Sequence, residues 1–244
     1  MSTPRFFVDA ALEPGAHLAL PERVAHHALR VLRLAPGSAL VLFNGRGGEA
    51  QATLEIAGPR AWARITQWHG VERESGLDLT LIQAIVAADK LDWVVEKATE
   101  LGVARIVLVP AARSVVRLSG ERLERRLAHW RDIARAACAQ CGRNRVPEIL
   151  AEADLRAACA ASAARHRYVL APVASDARLS AAPGDALALA VGPEGGFTPD
   201  ELGVARAAGF TALRLGPRVL RTETAGLAAL AACQALAGDW GASG

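Results

Sequence analysis

From Leu77 to Ala237 short, nearly unbroken apolar runs alternate with stretches of helical periodicity, a pattern that few folds accommodate. Leu79–Val86 reads as a strand buried on both faces. In Asp89–Gly102 the apolar residues Leu91, Val94, Val95, Ala98 and Leu101 recur at helical spacing, and Gly102 suits the C-terminal cap. Strands follow at Ile106–Val109, Tyr168–Leu170, Leu187–Val191 and Leu213–Leu215. Helices are predicted at Glu121–Cys141, from Thr198 onward, and at Thr222–Ala237. Thr198-Pro199-Asp200-Glu201 combines an N-cap, a first-turn proline and a capping-box glutamate. Such alternation predicts an α/β fold in which helices cover both faces of a parallel sheet.

The first seventy or so residues have a different texture. Phe6–Val8, Ala39–Phe43 and Ala61–Ile65 are short apolar stretches set among turn signals: Pro14-Gly15, Pro36-Gly37, Asn44-Gly45, Gly47-Gly48 and Gly58-Pro59. This spacing predicts a small β-barrel, with a helix over Pro21–Leu34. The polar stretch Val71–Gly76 marks the boundary, giving residues 1–73 as one domain and 74–244 as the other.

With 244 residues, 52% apolar and 22% charged, the chain is long enough for two domains and too apolar for disorder. Four cysteines exclude a disulfide scaffold, and no apolar run approaches the roughly 20 residues of a membrane span. Asp9 interrupts the place where a signal peptide needs its apolar stretch, so a cytoplasmic protein is expected. Charge is unevenly spread. Residues 105–145 hold ten Arg against Glu121, Glu124 and Asp132, a local +7, whereas residues 76–104 carry a local −3. A positive stretch of this kind fits a phosphate-facing surface or an ordinary solvated helix.

Two glycine turns carry the chemistry. Val191-Gly192-Pro193-Glu194-Gly195-Gly196-Phe197 lies between a strand and a helix start, where bare backbone lets a ligand approach the carboxyl end of a sheet. It is neither a Walker A loop nor a dinucleotide fingerprint. Leu215-Gly216-Pro217-Arg218-Val219-Leu220-Arg221-Thr222-Glu223-Thr224-Ala225 repeats the strand–turn–helix arrangement. It gathers Arg221, Thr222 and Glu223 at a helix N-terminus, where free amides attract anionic groups. Thr222 could equally be a plain cap there. Cys138-x-x-Cys141 and His26-His27 lack partners for a metal set and read as structural.

The two C-terminal motifs resemble the signature of the RsmE family, the 16S rRNA uridine-N3 methyltransferases of the SPOUT superfamily. Glu96-Lys-Ala-Thr-Glu-Leu-Gly102, Arg113-Ser114, Trp130, Ala137–Arg143 with Val146-Pro147, Arg5–Val8 and Leu29–Arg33 extend the likeness over nearly the whole chain. Cys141 departs from it, standing where the family usually has Ser. The resemblance implies a PUA-like barrel followed by an α/β methyltransferase domain with a deep trefoil knot, a rare exception to unthreaded connections. It implies S-adenosylmethionine as cofactor, no metal, a homodimer, and one uridine of 16S rRNA in the 30S subunit as substrate.

On that footing the cofactor would be held by Leu170, Pro172, Gly192, Pro193, Glu194, Gly195, Gly196, Leu215, Gly216, Arg218, Val219, Leu220, Thr222 and Ala225. Arg221 would stabilise charge on the uridine oxygens, with Glu223 either orienting it or taking the N3 proton. Arg5, Arg30 and Arg33 of the barrel would position RNA, and Arg113, Arg117, Arg122, Arg125 and Arg126 would extend the phosphate track. Two other readings compete: a SPOUT relative acting on another rRNA or tRNA position, and a non-catalytic RNA-binding assembly factor.

Overall fold

The computed structural model describes residues 3–58, 60–172 and 177–240. Contacts divide the chain into two units: residues 1–74 with 135–146, and residues 75–134 with 147–244.

In the first unit, β1 (Arg5–Phe7), β2 (His17–Ala19), β3 (Ala39–Phe43), β4 (Glu49–Ala57) and β5 (Arg60–His69) form one sheet in the order β1-β3-β4-β5-β2. The β1–β3 pair is parallel and the others are antiparallel. Alternate residues of β3 to β5, among them Leu40, Leu42, Leu54, Ala63 and Ile65, turn into a single core shared with Phe6, Val8 and Ala28. Two strands escaped the sequence reading. β2 is only three residues long, and β4 is half polar because its outer face meets water. The predicted helix over Pro21–Leu34 is instead a short α1 (Glu22–His26) followed by a π turn over His27–Val31, closed by Leu32 N donating to His27 O. The proline of the Gly58-Pro59 turn signal lies outside the described residues.

Residues 135–146 belong to this unit although they follow the predicted boundary, so the span 74–244 is not one uninterrupted unit. The reason is a polar network that hydropathy does not display. Asn144 donates to Val71 O, Arg143 pairs with Glu74, and Arg145 pairs with Glu72. Arg5 pairs with Glu49 and donates to Asn144 Oδ1 at 2.6 Å, while its guanidinium lies over Phe43. Arg5, expected to position RNA, has its side chain turned inward and only 14% exposed.

Desolvation raises the Glu49 carboxyl, but Arg73 and Arg5 outweigh it and hold the group at about 2, against 4.5 for the free side chain. Its contribution to stability is thus complete above pH 4.5 and lost as pH falls towards 2. We expect Glu49→Gln to destabilise this unit by on the order of 2 kcal/mol at pH 7, with the difference from the parent vanishing in melts near pH 2.

The second unit is a six-stranded, all-parallel sheet. Its strands are β6 (Asp78–Ala84), β7 (Arg105–Val109), β8 (Glu148–Ala151), β9 (His166–Leu170), β10 (Ala186–Val191) and β11 (Thr211–Leu213), in the order β11-β9-β10-β6-β7-β8. β6 is buried from Leu79 to Ala84, as its unbroken apolar run predicts. Helices α4 (Leu155–Ala161) and α5 (Pro199–Ala207) contribute to a core cluster with Ile82, Val107 and Val169, whereas α6 (Thr222–Ala237) packs on β6 and β10 and α2 (Ala88–Glu100) packs on α6. The remaining helix, α3 (Gly120–Cys141), starts in this unit, where its buried Trp130 donates Nε1–H to Asp92 of α2 at 2.9 Å. The sequence reading missed β8 and α4, both short and Ala-rich or polar. It also placed β11 two residues late.

The strand order reverses between β6 and β10. In open α/β sheets the crevice beyond the carboxyl ends at such a switch point is where ligands bind; the glycine turn after β10 opens there, and the one after β11 leaves the same end of the sheet two strands away.

Candidate functional site

The ladder of β11 ends at Leu213, paired with Leu170, and Ala171 N donates to Leu213 O. Leu215 and Gly216, the latter at φ +72°, are therefore free of the sheet. The released segment and the loop after β9 enclose a cleft of about 370 Å³ lined by Leu170, Ala171, Pro172, Leu213, Arg214, Leu215, Arg218, Val219, Leu220 and Ala225. Seven of the fourteen residues expected around a cofactor line it: Leu170, Pro172, Leu215, Arg218, Val219, Leu220 and Ala225. Its walls are mostly apolar, with Arg218 offering donors.

The other seven do not line this cleft, and the structure assigns several of them separate tasks. A Cβ on Gly192 would sit 2.7 Å from Phe197 N, so the turn closes only around a glycine. Gly196, at φ +66°, has open space where a side chain would be. Pro193 O accepts from Gly196 N at 2.8 Å, completing the turn. Glu194 pairs with Lys90 of α2 at 2.8 Å, which raises the lysine and lowers the glutamate, chiefly through that hydrogen bond. Gly195 O accepts from Arg113 Nη1 at 2.7 Å. Arg113, expected on the phosphate track, thus braces the glycine turn. Glu201 fastens the turn's far end: its carboxylate accepts from Thr198 N and from Ala112 N, both at 2.8 Å.

Thr222 is not a helix cap. Its hydroxyl donates to Gly192 O at 2.6 Å and accepts from Gln83 Nε2 at 3.0 Å. All three groups are buried, so the relay pins the end of β6, the glycine turn and the start of α6 to one another. Removing the hydroxyl leaves a buried donor and a buried acceptor unmatched, each costing roughly 1–3 kcal/mol. Thr222→Val, nearly isosteric, should lower stability by about 2 kcal/mol and loosen the turn, which a denaturant titration and amide exchange at Gly195 and Gly196 would register. Gln83 and Lys90 escaped the sequence reading. The legible signals were a lone amide inside an otherwise apolar strand and one of only two lysines beside 26 arginines.

Arg221 is the N-cap residue of α6, exposed, with its carbonyl accepting from Thr224 N and Ala225 N. Its guanidinium has no partner among the described residues. A cation at a helix N-terminus opposes the macrodipole by roughly 0.3–1 kcal/mol, a placement that suits an incoming anion. Glu223 Oε2 is shielded from solvent and unpartnered among the described residues. No hydrogen bond or ion pair joins it to Arg221, so the orienting role is not seen. Among the remaining arginines, Arg30, Arg33, Arg117, Arg122 and Arg125 are exposed and Arg126 is half-buried.

Fold and site together define an RNA methyltransferase. A family model described as an RNA methyltransferase domain matches residues 73–234, and one described as an RNA methyltransferase PUA domain matches residues 20–63. The ribosomal RNA small subunit methyltransferase E of Mycobacterium bovis is 36% identical over 98% of this chain and 94% of its own length. That of Bacillus subtilis is 28% identical over 93% and 94%. The chain belongs to the ribosomal RNA small subunit methyltransferase E family. Among solved structures, a Legionella pneumophila methyltransferase in complex with its cofactor SAM superposes with a TM-score of 0.92 at 35% identity, covering 98% of this chain and 100% of that one. The Neisseria gonorrhoeae ribosomal RNA small subunit methyltransferase E bound to S-adenosylmethionine gives 0.87 at 38% identity with the same coverage. The expected α/β class is matched in the parallel sheet and the PUA-like first domain.

Proposed function

We propose that this protein methylates N3 of one uridine in the 16S rRNA of the 30S subunit, with S-adenosylmethionine as donor, acting in the cytoplasm as a homodimer whose C-terminal region is threaded as a trefoil knot. The observation that carries the reading is the cleft beyond the carboxyl ends of β9 and β11, where the loop after β9 and the segment after β11 face each other. The residues present suit the cofactor. Leu170, Leu215, Val219, Leu220 and Ala225 offer an apolar lining with accessible backbone, and Arg218 can meet a carboxylate. When bound, S-adenosylmethionine supplies an electrophilic methyl on a sulfonium whose charge is lost on transfer, a change that apolar walls favour.

The chain's own residues act on the uridine. Its N3 proton is weakly acidic, and the charge left on its removal spreads to O2 and O4. Arg221 donates to those oxygens and stabilises that charge. Glu223, with Oε2 unpartnered among the described residues, accepts the proton. N3 lies on the Watson–Crick edge, so the base must be unpaired when it reacts. Arg117, Arg122, Arg125 and Arg126 in the second unit, and Arg30 and Arg33 in the first, supply phosphate contacts, which makes RNA binding weaken as salt rises.

Incubation of purified 30S subunits with labelled S-adenosylmethionine, followed by nucleotide mapping, tests the reading. One N3-methylated uridine per subunit is expected. Label on a ribose hydroxyl or on tRNA, or cofactor binding without transfer, would replace it.

A further inference from the structure

Lys90 shares an electrostatic neighbourhood with Arg221 and Glu223, yet among the described residues it pairs with neither. It lies in the first turn of α2, where the macrodipole opposes a cation, so its placement does nothing for the helix itself. Its ammonium meets Glu194 of the glycine turn at 2.8 Å. The two side chains are 29% and 39% exposed, so the pair can open and each member can take another partner. The hydrogen bond to Glu194 raises the ammonium and partial desolvation lowers it; beyond these, the charges of Glu223 and Arg221 act on it. Glu194 feels Asp89 as well as Lys90.

The backbone explains why these groups gather. α2 and α6 run in the same direction: their starts bring Lys90 near Arg221, and towards their ends Gln234 Nε2 donates to Leu101 O at 2.8 Å. Thr222, the residue after Arg221, donates its hydroxyl to Gly192 O at 2.6 Å, and Glu194 lies two residues beyond Gly192. Arg221 and Glu194 therefore flank the same hydrogen bond. The charges in this neighbourhood are three carboxylates, Asp89, Glu194 and Glu223, against two cations, Lys90 and Arg221. Without Lys90, Arg221 would be the one cation among them. Glu223 sits two residues away on the same helix, a spacing that does not turn side chains towards each other. Glu194, on a different segment and held by Lys90, is the carboxylate placed to take Arg221.

We propose that Lys90 is a positioning residue for methyl transfer: by holding Glu194 it keeps that carboxylate off Arg221 and leaves the guanidinium open to the uridine. The inference rests on Arg221 being the group that meets the base. Two arrangements compete, Lys90–Glu194 with Arg221 open and Arg221–Glu194 with the donors occupied. An arginine meets a carboxylate through a planar fork of N–H groups, the same donors it would offer to the uridine oxygens, so Glu194 and the substrate are rivals for one partner. Lys90 could instead serve only as a tether for the glycine turn, and the two roles differ in sign. A tether is lost whichever member is removed, and removing the second changes nothing more. A captured Arg221 is released when Glu194 is neutralised.

Single-turnover methylation of 30S subunits, with cofactor saturating, is measured for the full-length protein carrying Lys90→Met, Lys90→Arg or Lys90→Met/Glu194→Gln, and thermal melts certify folding. Lys90→Met should lower the rate about fivefold, because an ordinary surface ion pair would leave roughly one Arg221 in five open. Lys90→Arg should recover most of that loss. Adding Glu194→Gln to Lys90→Met should recover at least half of it. Crystal structures of the parent and of Lys90→Met should show Glu194 at ion-pair distance from Arg221 in the variant alone, a readout that holds whether or not the parent methylates 30S subunits. No gain on adding Glu194→Gln, or a Glu194 that stays away from Arg221 in Lys90→Met, would overturn the inference even with normal methylation by the parent. If Glu194 takes Arg221 in Lys90→Met and the rate does not fall, the choice between ion pairs stands and the proposed role of Arg221 falls.

Discussion

Gly192→Ala is expected to reduce methyl transfer to 30S subunits at least 100-fold, with most of the loss in cofactor affinity. The added Cβ would meet Phe197 N at 2.7 Å and the Gly196 carbonyl carbon at 3.0 Å. Both are main-chain atoms of the same turn, so no side chain can swing aside. The turn must open, which strains the Pro193–Gly196 hydrogen bond and the Thr222 hydroxyl contact to Gly192 O. Calorimetry with S-adenosylmethionine and a thermal melt would separate lost binding from lost folding. A fall of several degrees in Tm is expected beside the affinity loss, because an overpacked buried site costs typically 1–3 kcal/mol. Gly203→Ala is the matched control. It lies within α5 with nothing inside 4 Å of the added atom, so it should be neutral or slightly stabilising. Parent-like cofactor affinity in Gly192→Ala would remove the glycine turn from the proposed site.

Arg221→Ala should lower turnover about 10²- to 10³-fold while leaving S-adenosylmethionine affinity and Tm nearly unchanged. That range is the effect of deleting one donor aimed at charge that develops in a transition state. The structural reason for the clean separation is that Arg221 is exposed and its guanidinium makes no hydrogen bond or ion pair among the described residues, so none is lost with it. Relief of the unfavourable helix-dipole interaction should even raise stability slightly. Arg221→Lys should recover little, since a planar fork that reaches two oxygens is replaced by a point charge. Single-turnover rates on 30S subunits, with cofactor saturating, are the measurement. Normal turnover by the alanine variant would show that another group carries the charge.

Both predictions draw on residues already conspicuous in the sequence, because glycine turns and helix starts are local features. Thr198-Pro199-Asp200-Glu201 forms the expected capping box, and α6 spans Thr222–Ala237 as its periodicity indicated. β6 is buried on both faces because an unbroken apolar run has no other stable home. The errors fall where neighbours distant in the chain override local preference. Helical periodicity over Pro21–Leu34 is real, yet the chain tightens into α1 and then widens into a π turn. Leu215 looks like strand, but the ladder ends at Leu213 because its partner β9 ends at Leu170.

Arginine shows the same division most clearly. A count of ten between residues 105 and 145 locates positive charge but not its use. Arg5 is drawn inward by Glu49 and Asn144, Arg113 braces Gly195, and Arg143 pairs with Glu74, whereas Arg30 and Arg60 are exposed with no hydrogen bond or ion pair among the described residues. Charge and hydrogen-bonding capacity are properties of the residue. Which acceptor stands within 3 Å is a property of chain segments that meet from far apart in the chain, 139 positions where Gln83 meets Thr222 and 159 where Ser75 donates to Gln234. Periodicity and turn chemistry therefore settled the fold class, the two textures of the chain and the two glycine turns. The cleft between the loops after β9 and β11, the Gln83–Thr222–Gly192 relay, and the sorting of arginines into braces and free cations came from the packed molecule, since long-range polar pairing leaves no periodic trace in the order of residues.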